Sequence, residues 1–215
     1  MNANLIDRYL VAASIGELDP VICVNKVDLA DEISACHAAV EPYQRLGYKV
    51  LLTSAVSGAG IDELADRLAG QTSILAGLSG VGKSSLLNAV QPGLQLRTGE
   101  ISERLKMGRH TTTQVNLFKL NRGGYVIDTP GIRDFGLDGL LHTDLIAYYP
   151  EIQAAASACR FSDCTHTHEP DCAVQAALQA GRLSETRFQS YVQNYESLPA
   201  SQAEKQEQAQ TRTWR

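Results

Sequence analysis

No run of about 18 apolar residues occurs in the 215-residue chain, which excludes a membrane-spanning helix. Its first residues, Met1 to Arg8, lack the basic-then-apolar layout of a secretory leader. Positive charge is not in excess. Lys and Arg number 19 against 24 Asp and Glu, a net −5, which excludes a generally basic nucleic-acid coat but leaves room for a local basic face. Internal repeats and collagen-like or low-complexity composition are also absent. Charged residues at 20% and hydrophobic residues at 44% exclude wholesale disorder and suffice for a core. Cysteine is scarce and odd in number, at five, so a disulfide framework is not expected. Cys23 and Cys36 stand alone, whereas Cys159, Cys164 and Cys172 crowd into 14 residues. That clustering suits a reducing compartment, with metal ligation as its use.

Hydrophobic patterning predicts helices over 5–13, 31–46, 61–68 and 83–90, stopped by Gly16, Pro20, Gly47 and Pro92. Short apolar strands are expected over 21–24, 48–52 and 73–76, the first two buried. A hairpin is expected from strands 115–120 and 125–128 around Asn121–Gly124. Helices alternating with strands imply an α/β fold with a mostly parallel sheet. After about residue 137 strand signals stop and the pattern is helical; 201–215 is polar and expected to fray. Three parts are therefore expected: 1–137, 138–200 and a 201–215 tail.

Gly77, Leu78, Ser79, Gly80, Val81, Gly82, Lys83 and Ser84 fit G-x-x-x-x-G-K-[ST], with Ser85 next in line. The glycines let consecutive backbone N–H groups face phosphate oxygens, and the following helix N-terminus adds partial positive charge. Lys83 is expected to reach the β- and γ-phosphates and Ser84 to bind Mg²⁺. A Gly-rich turn with an incidental lysine is the plain alternative; the strand–loop–helix context argues against it. Asn25, Lys26, Val27 and Asp28 follow the 21–24 strand as an Asn-Lys-x-Asp guanine-selecting motif. The Asp28 carboxylate can accept from guanine N1–H and the exocyclic amine, which adenine does not offer there. The Lys26 stem would lie along the base and Asn25 would brace the loops. Ser54 and Ala55, after the next strand, would offer a backbone N–H to guanine O6. Base motifs before the phosphate loop reverse the usual GTPase order, which marks a circular permutation.

Asp128 to Gly131 fits D-x-x-G: Asp128 would hold Mg²⁺ through water and the Gly131 N–H would sense the γ-phosphate. Ile132 follows, where many GTPases carry a water-orienting glutamine. Between Val90 and Thr111 runs a long aperiodic stretch with Arg97, Arg104, Lys106, Arg109 and His110. Thr112 and Thr113 are the candidates for closing on Mg²⁺ and the γ-phosphate, and His110 for positioning water or charge; a solvated loop histidine is the alternative. Cys159-x4-Cys164-x-His166-x5-Cys172 offers three thiolates and one imidazole, a closed tetrahedral set suited to structural Zn²⁺. His168 is a substitute ligand or an exposed neighbour.

The permuted order, the Gly108–Thr113 and Asp128–Gly136 segments and the Cys/His spacing together resemble the ribosome small subunit-dependent GTPase A family, over roughly residues 3–200. The resemblance implies a circularly permuted P-loop GTPase domain followed by a small zinc-binding α-helical domain. It implies a cytoplasmic, monomeric, membrane-free enzyme that turns GTP into GDP and phosphate. It further implies stimulation by the small ribosomal subunit, action late in that subunit's maturation, and contact of the zinc-bearing domain with rRNA. The family also carries an N-terminal OB-fold domain and an apolar strand before the first helix. Neither has a counterpart in this sequence, so an N-terminally shortened chain is expected, with unpaired backbone on two strands. The rivals are a permuted GTPase of the large subunit, a GTP-gated module that does not hydrolyse, an inactive fragment of the same family, and a zinc-dependent nucleic-acid module with a vestigial nucleotide site.

Overall fold

Asn2 opens the first helix by accepting the Leu5 N–H, and α1 (Ala3–Ile15) runs to Gly16. The structure, a computed structural model, describes residues 2–94, 96, 116–128, 137 and 139–200. After Pro20, β1 (Val21–Asn25) pairs in parallel with β2 (Lys49–Thr53), Asn25 opposite Thr53, and α2 (Ile33–Arg45) forms the crossover a parallel pair needs. α3 (Ile61–Leu68), β3 (Thr72–Ile74) and α4 (Lys83–Val90) follow. β4 (Asn116–Lys119) and β5 (Tyr125–Asp128) form the hairpin, and β5 also pairs in parallel with β3.

The expected sheet is therefore two sheets among the described residues, β1–β2 and β3–β5–β4. The expectation of a buried first strand needs correction. Only Ile22 of β1 is buried, Cys23 is exposed, and Val21 keeps 39% of its surface. Among the described residues β1 has one strand partner, β2. α3 turns Leu64, Ala65 and Leu68 inward, and the two leucines meet Leu51, Leu86, Leu87, Leu120 and Val126 in one core.

Contacts divide the chain into residues 21–134 and a second unit formed by 1–20 with 135–215. The helix α1, grouped by sequence order with the nucleotide-binding part, thus packs in the helical unit. There it meets α7 (Glu185–Ser197), beside a 3₁₀ stretch (His142–Tyr148), α5 (Pro150–Ala156) and α6 (Ala173–Gln179). Val11 joins Leu145, Tyr149, Ile152, Val174, Phe188 and Tyr191 in the core. Each large apolar side chain so buried contributes roughly 1.5–3 kcal/mol. Asp7, fully buried, pairs with Arg187 at 2.5 Å; Arg187 also donates to Glu151 at 2.7 Å and lies 4.5 Å over the Tyr149 ring.

Candidate functional site

Strand ends position the nucleotide motifs. Asn25 closes β1, and Lys26 turns into the left-handed region (φ +68), throwing Val27 and Asp28 into a short 3₁₀ turn. Asn25 Nδ2 donates to the Val81 carbonyl at 2.9 Å, and Lys26 Nζ to the Gly80 carbonyl at 2.7 Å. Thr53 Oγ1, opposite in β2, donates to Asn25 Oδ1 at 3.4 Å. The buried Ser54 hydroxyl bonds the Asp28 carboxylate and accepts the Val56 and Ser57 N–H groups at 3.2 and 3.0 Å. Asp28 is thereby fixed to the loop that carries Ala55.

The phosphate loop leaves β3 and enters α4 at Gly82, whose φ of +99 suits glycine. A Cβ there would lie 2.3 Å from Asn25 Nδ2. Lys83 Nζ curls back onto the carbonyls of Gly77 and Leu78, at 2.6 and 3.0 Å. Side-chain donors thus occupy four loop carbonyls, those of residues 77, 78, 80 and 81, while the first turn of α4 (Lys83, Ser84, Ser85) presents its amides. Leu78, Ser79, Gly80 and Val81 are exposed, so the loop is open to a ligand. The backbone of Asp128 ends β5, one step past the Ile74–Ile127 pair that precedes the loop. His110, Thr112, Thr113, Gly131 and Ile132 lie outside the described residues, as does the 201–215 tail.

In the helical unit the ligand atoms of Cys159, Cys164, His166 and Cys172 all lie within 4.8 Å of one another. His166 Nδ1 is 3.6 Å from both Cys159 Sγ and Cys172 Sγ, and the two sulfurs are 3.9 Å apart. A tetrahedral ion with bonds of about 2.3 Å to sulfur and 2.0–2.1 Å to nitrogen sets N···S near 3.6 Å and S···S near 3.8 Å. The group therefore fits a metal ion. Burial pushes Cys164 up to about 12, as its thiol neighbours do further. Cys159 is partly desolvated too, yet N–H groups of Val174 and Ala173 at the start of α6 hold it below its usual value. Burial lowers His166, keeping the imidazole in its neutral, ligating form. His168 is exposed, with Nδ1 against Thr167 Oγ1 at 2.8 Å, and stands outside the group.

The family model for RsgA GTPase matches residues 1–138. The chain belongs to the RsgA GTPase family. The small ribosomal subunit biogenesis GTPase RsgA of Thermotoga petrophila is 45% identical over 90% of this chain and 65% of its own length. That of Moorella thermoacetica is 46% identical over 88% and 64%. The crystal structure of YjeQ from Thermotoga maritima matches with a TM-score of 0.76 and 40% identity, over 92% of this chain and 66% of that one. YloQ, a circularly permuted GTPase, matches at 0.69 and 32%, over 92% and 63%. The chain thus spans about 65% of the length of the curated relatives it matches. Its fold is the circularly permuted GTPase fold of this RsgA family, with a Cys₃His group able to hold a metal.

Glu169 escaped the sequence reading. Partial burial works against its charge, but hydrogen bonds from the Thr165 hydroxyl and the N–H groups of Thr165, Glu169 and His168 prevail and hold it down to about 2. The one signal available was a threonine and a glutamate four apart inside the metal-ligand loop.

Proposed function

We propose that this chain is the catalytic part of a GTP hydrolase, yielding GDP and phosphate, that acts late in small ribosomal subunit maturation and is stimulated by that subunit. The observation that carries the reading is the join between two distant motifs. Asn25 and Lys26, at the end of β1, grip the carbonyls of Val81 and Gly80 in the phosphate loop. One nucleotide can therefore rest its base against Asp28 and its phosphates on Gly77–Ser84. The Asp28 carboxylate, oriented by Ser54, would take the two guanine donors. Lys83 would exchange its loop carbonyls for phosphate oxygens. Ser84, in the first turn of α4, would hold Mg²⁺ with Thr113 and Asp128, and the ion would supply positive charge to the phosphates. His110 would stand at the γ-phosphate. Zn²⁺ would fill the Cys₃His group, as three thiolates and an imidazole in tetrahedral spacing favour, and would brace a helical unit that touches rRNA. The names of the curated relatives support the ribosomal partner, and a cytoplasmic, monomeric enzyme completes the proposal.

The test is phosphate release from GTP with and without purified small subunits, with a longer relative as positive control. The reading requires stimulation by the subunit and selectivity for GTP; equal affinity for ATP overturns it. Asp28→Asn should weaken GTP and favour xanthosine triphosphate, whose extra carbonyl meets the amide. Ile132, in place of a water-orienting glutamine, favours a second reading, a GTP-gated module without turnover. Single-turnover hydrolysis on the subunit separates the two.

A further inference from the structure

One carboxylate holds the loop between Cys164 and Cys172 together. Glu169 accepts the Thr165 N–H at 2.6 Å and the Thr165 hydroxyl at 2.5 Å on one oxygen, and the His168 N–H at 3.3 Å on the other. The residues it gathers bracket His166 on both sides. From α6, the Gln175 side chain donates to the His166 carbonyl at 2.7 Å. His166 itself has φ +66, in the left-handed region that few non-glycine residues occupy. Its ring is buried, and Nδ1 is the nitrogen that faces the sulfurs of Cys159 and Cys172.

These facts have a common cause. Three donors converging on one carboxylate close the loop over residues 165–169, and Gln175 fixes the carbonyl that leaves His166. Along this path the His166 ring presents Nδ1 to the thiols. We propose that Glu169, assisted by Thr165 and Gln175, is a positioning residue for the metal: it presets His166 for ligation through Nδ1 and slows release of the ion. This rests on the reading of Cys159, Cys164, His166 and Cys172 as a zinc site. Hydrogen-bonded partners of this kind orient ligands and set affinity in metal sites generally. Charge alone is the competing cause, and Asp163, exposed beside Cys164, supplies the control because it carries the same charge.

The experiment loads the full chain with one equivalent of Co²⁺ or Zn²⁺ and times release to excess chromogenic chelator. Glu169→Ala should release the metal about 10- to 100-fold faster than the parent. Glu169→Gln, whose amide oxygen still accepts, should recover most of that loss, and Asp163→Asn should behave as the parent. Amide exchange in the loaded protein reads the same idea without removing metal: Thr165 and His168 should exchange faster in Glu169→Ala, while α7 is unchanged. If Glu169→Ala does not fold, Thr165→Val, which deletes only the hydroxyl donor, carries the same expectation at smaller size. Release at the parent's rate from the folded variant overturns the positioning role. Equal acceleration by Asp163→Asn and Glu169→Gln overturns it too, leaving charge as the cause. A parent chain that shows no thiolate-to-Co²⁺ absorbance overturns the metal reading instead.

Discussion

Gly82→Ala tests how the base motif and the phosphate loop hold each other. The added methyl would sit 2.3 Å from Asn25 Nδ2, so the amide must swing away and release the Val81 carbonyl. A hydrogen bond of this kind is worth about 0.5–1.5 kcal/mol. The backbone at φ +99 adds roughly 1–2 kcal/mol for an L side chain, which the free loop can relax and GTP must reimpose. Together they give about 1.5–3.5 kcal/mol, or roughly 10- to 300-fold weaker GTP binding, at about 1.4 kcal/mol per tenfold. Gly47→Ala is the control. It has a similar φ of +88 with open space around the new methyl, and should lower stability without touching GTP affinity. Titration with a fluorescent GTP analogue measures both. The decisive arm is Gly82→Ala in an Asn25→Ala background, where the clash partner is gone and only the backbone cost should remain. An equal loss in both backgrounds would refute the steric argument.

His110→Ala should keep GTP binding but lose most subunit-stimulated turnover in a phosphate-release assay; full stimulation would reduce His110 to a loop residue. Asp7→Ala should destabilise the helical unit by about 3 kcal/mol in urea unfolding, the low end for a broken buried pair, because the buried Arg187 loses one carboxylate and keeps Glu151. Asp66→Ala breaks an ion pair with Arg122 of the same 2.5 Å length, but one that is solvent-exposed, and should cost less than about 1 kcal/mol. Burial, followed by the negative charge of Asp7, raises Tyr149 to about 12. Its neutral phenol therefore contributes stability that is full below pH 10 and fades as pH rises toward 12. The tyrosinate absorbance of Tyr149, taken as the difference from Tyr149→Phe, should appear cooperatively with unfolding across that window; independent titration near 10 in that difference would contradict it.

The bounds of α3 and α4 were legible because each helix opens at a glycine and carries its apolar residues on one stripe. The hairpin announced itself through Asn121–Gly124 for the same local reason. Burial of β1 was not legible, since its own residues say nothing of whether a strand lies beside it. The metal group could be found from spacing, because the chemistry needs four ligands within one short loop. Glu169 could not, as its role depends on the path the loop takes around it. The site of α1 failed likewise: Asp7 finds Arg187 across 180 positions, a distance no periodicity spans.

That separation also sets an order of events during synthesis. At about 5–20 residues per second, α1 leaves the ribosome roughly 10–40 s before α7 exists to receive it. A 13-residue helix is marginal by itself, so Leu10 and Val11 must wait uncovered. Residues 21–134 form a unit of their own, and the strand partners described within it are all made well before then. The 21–134 unit can therefore close while the nascent chain still lacks the helix that seats α1, and capture of α1 is among the last steps of folding.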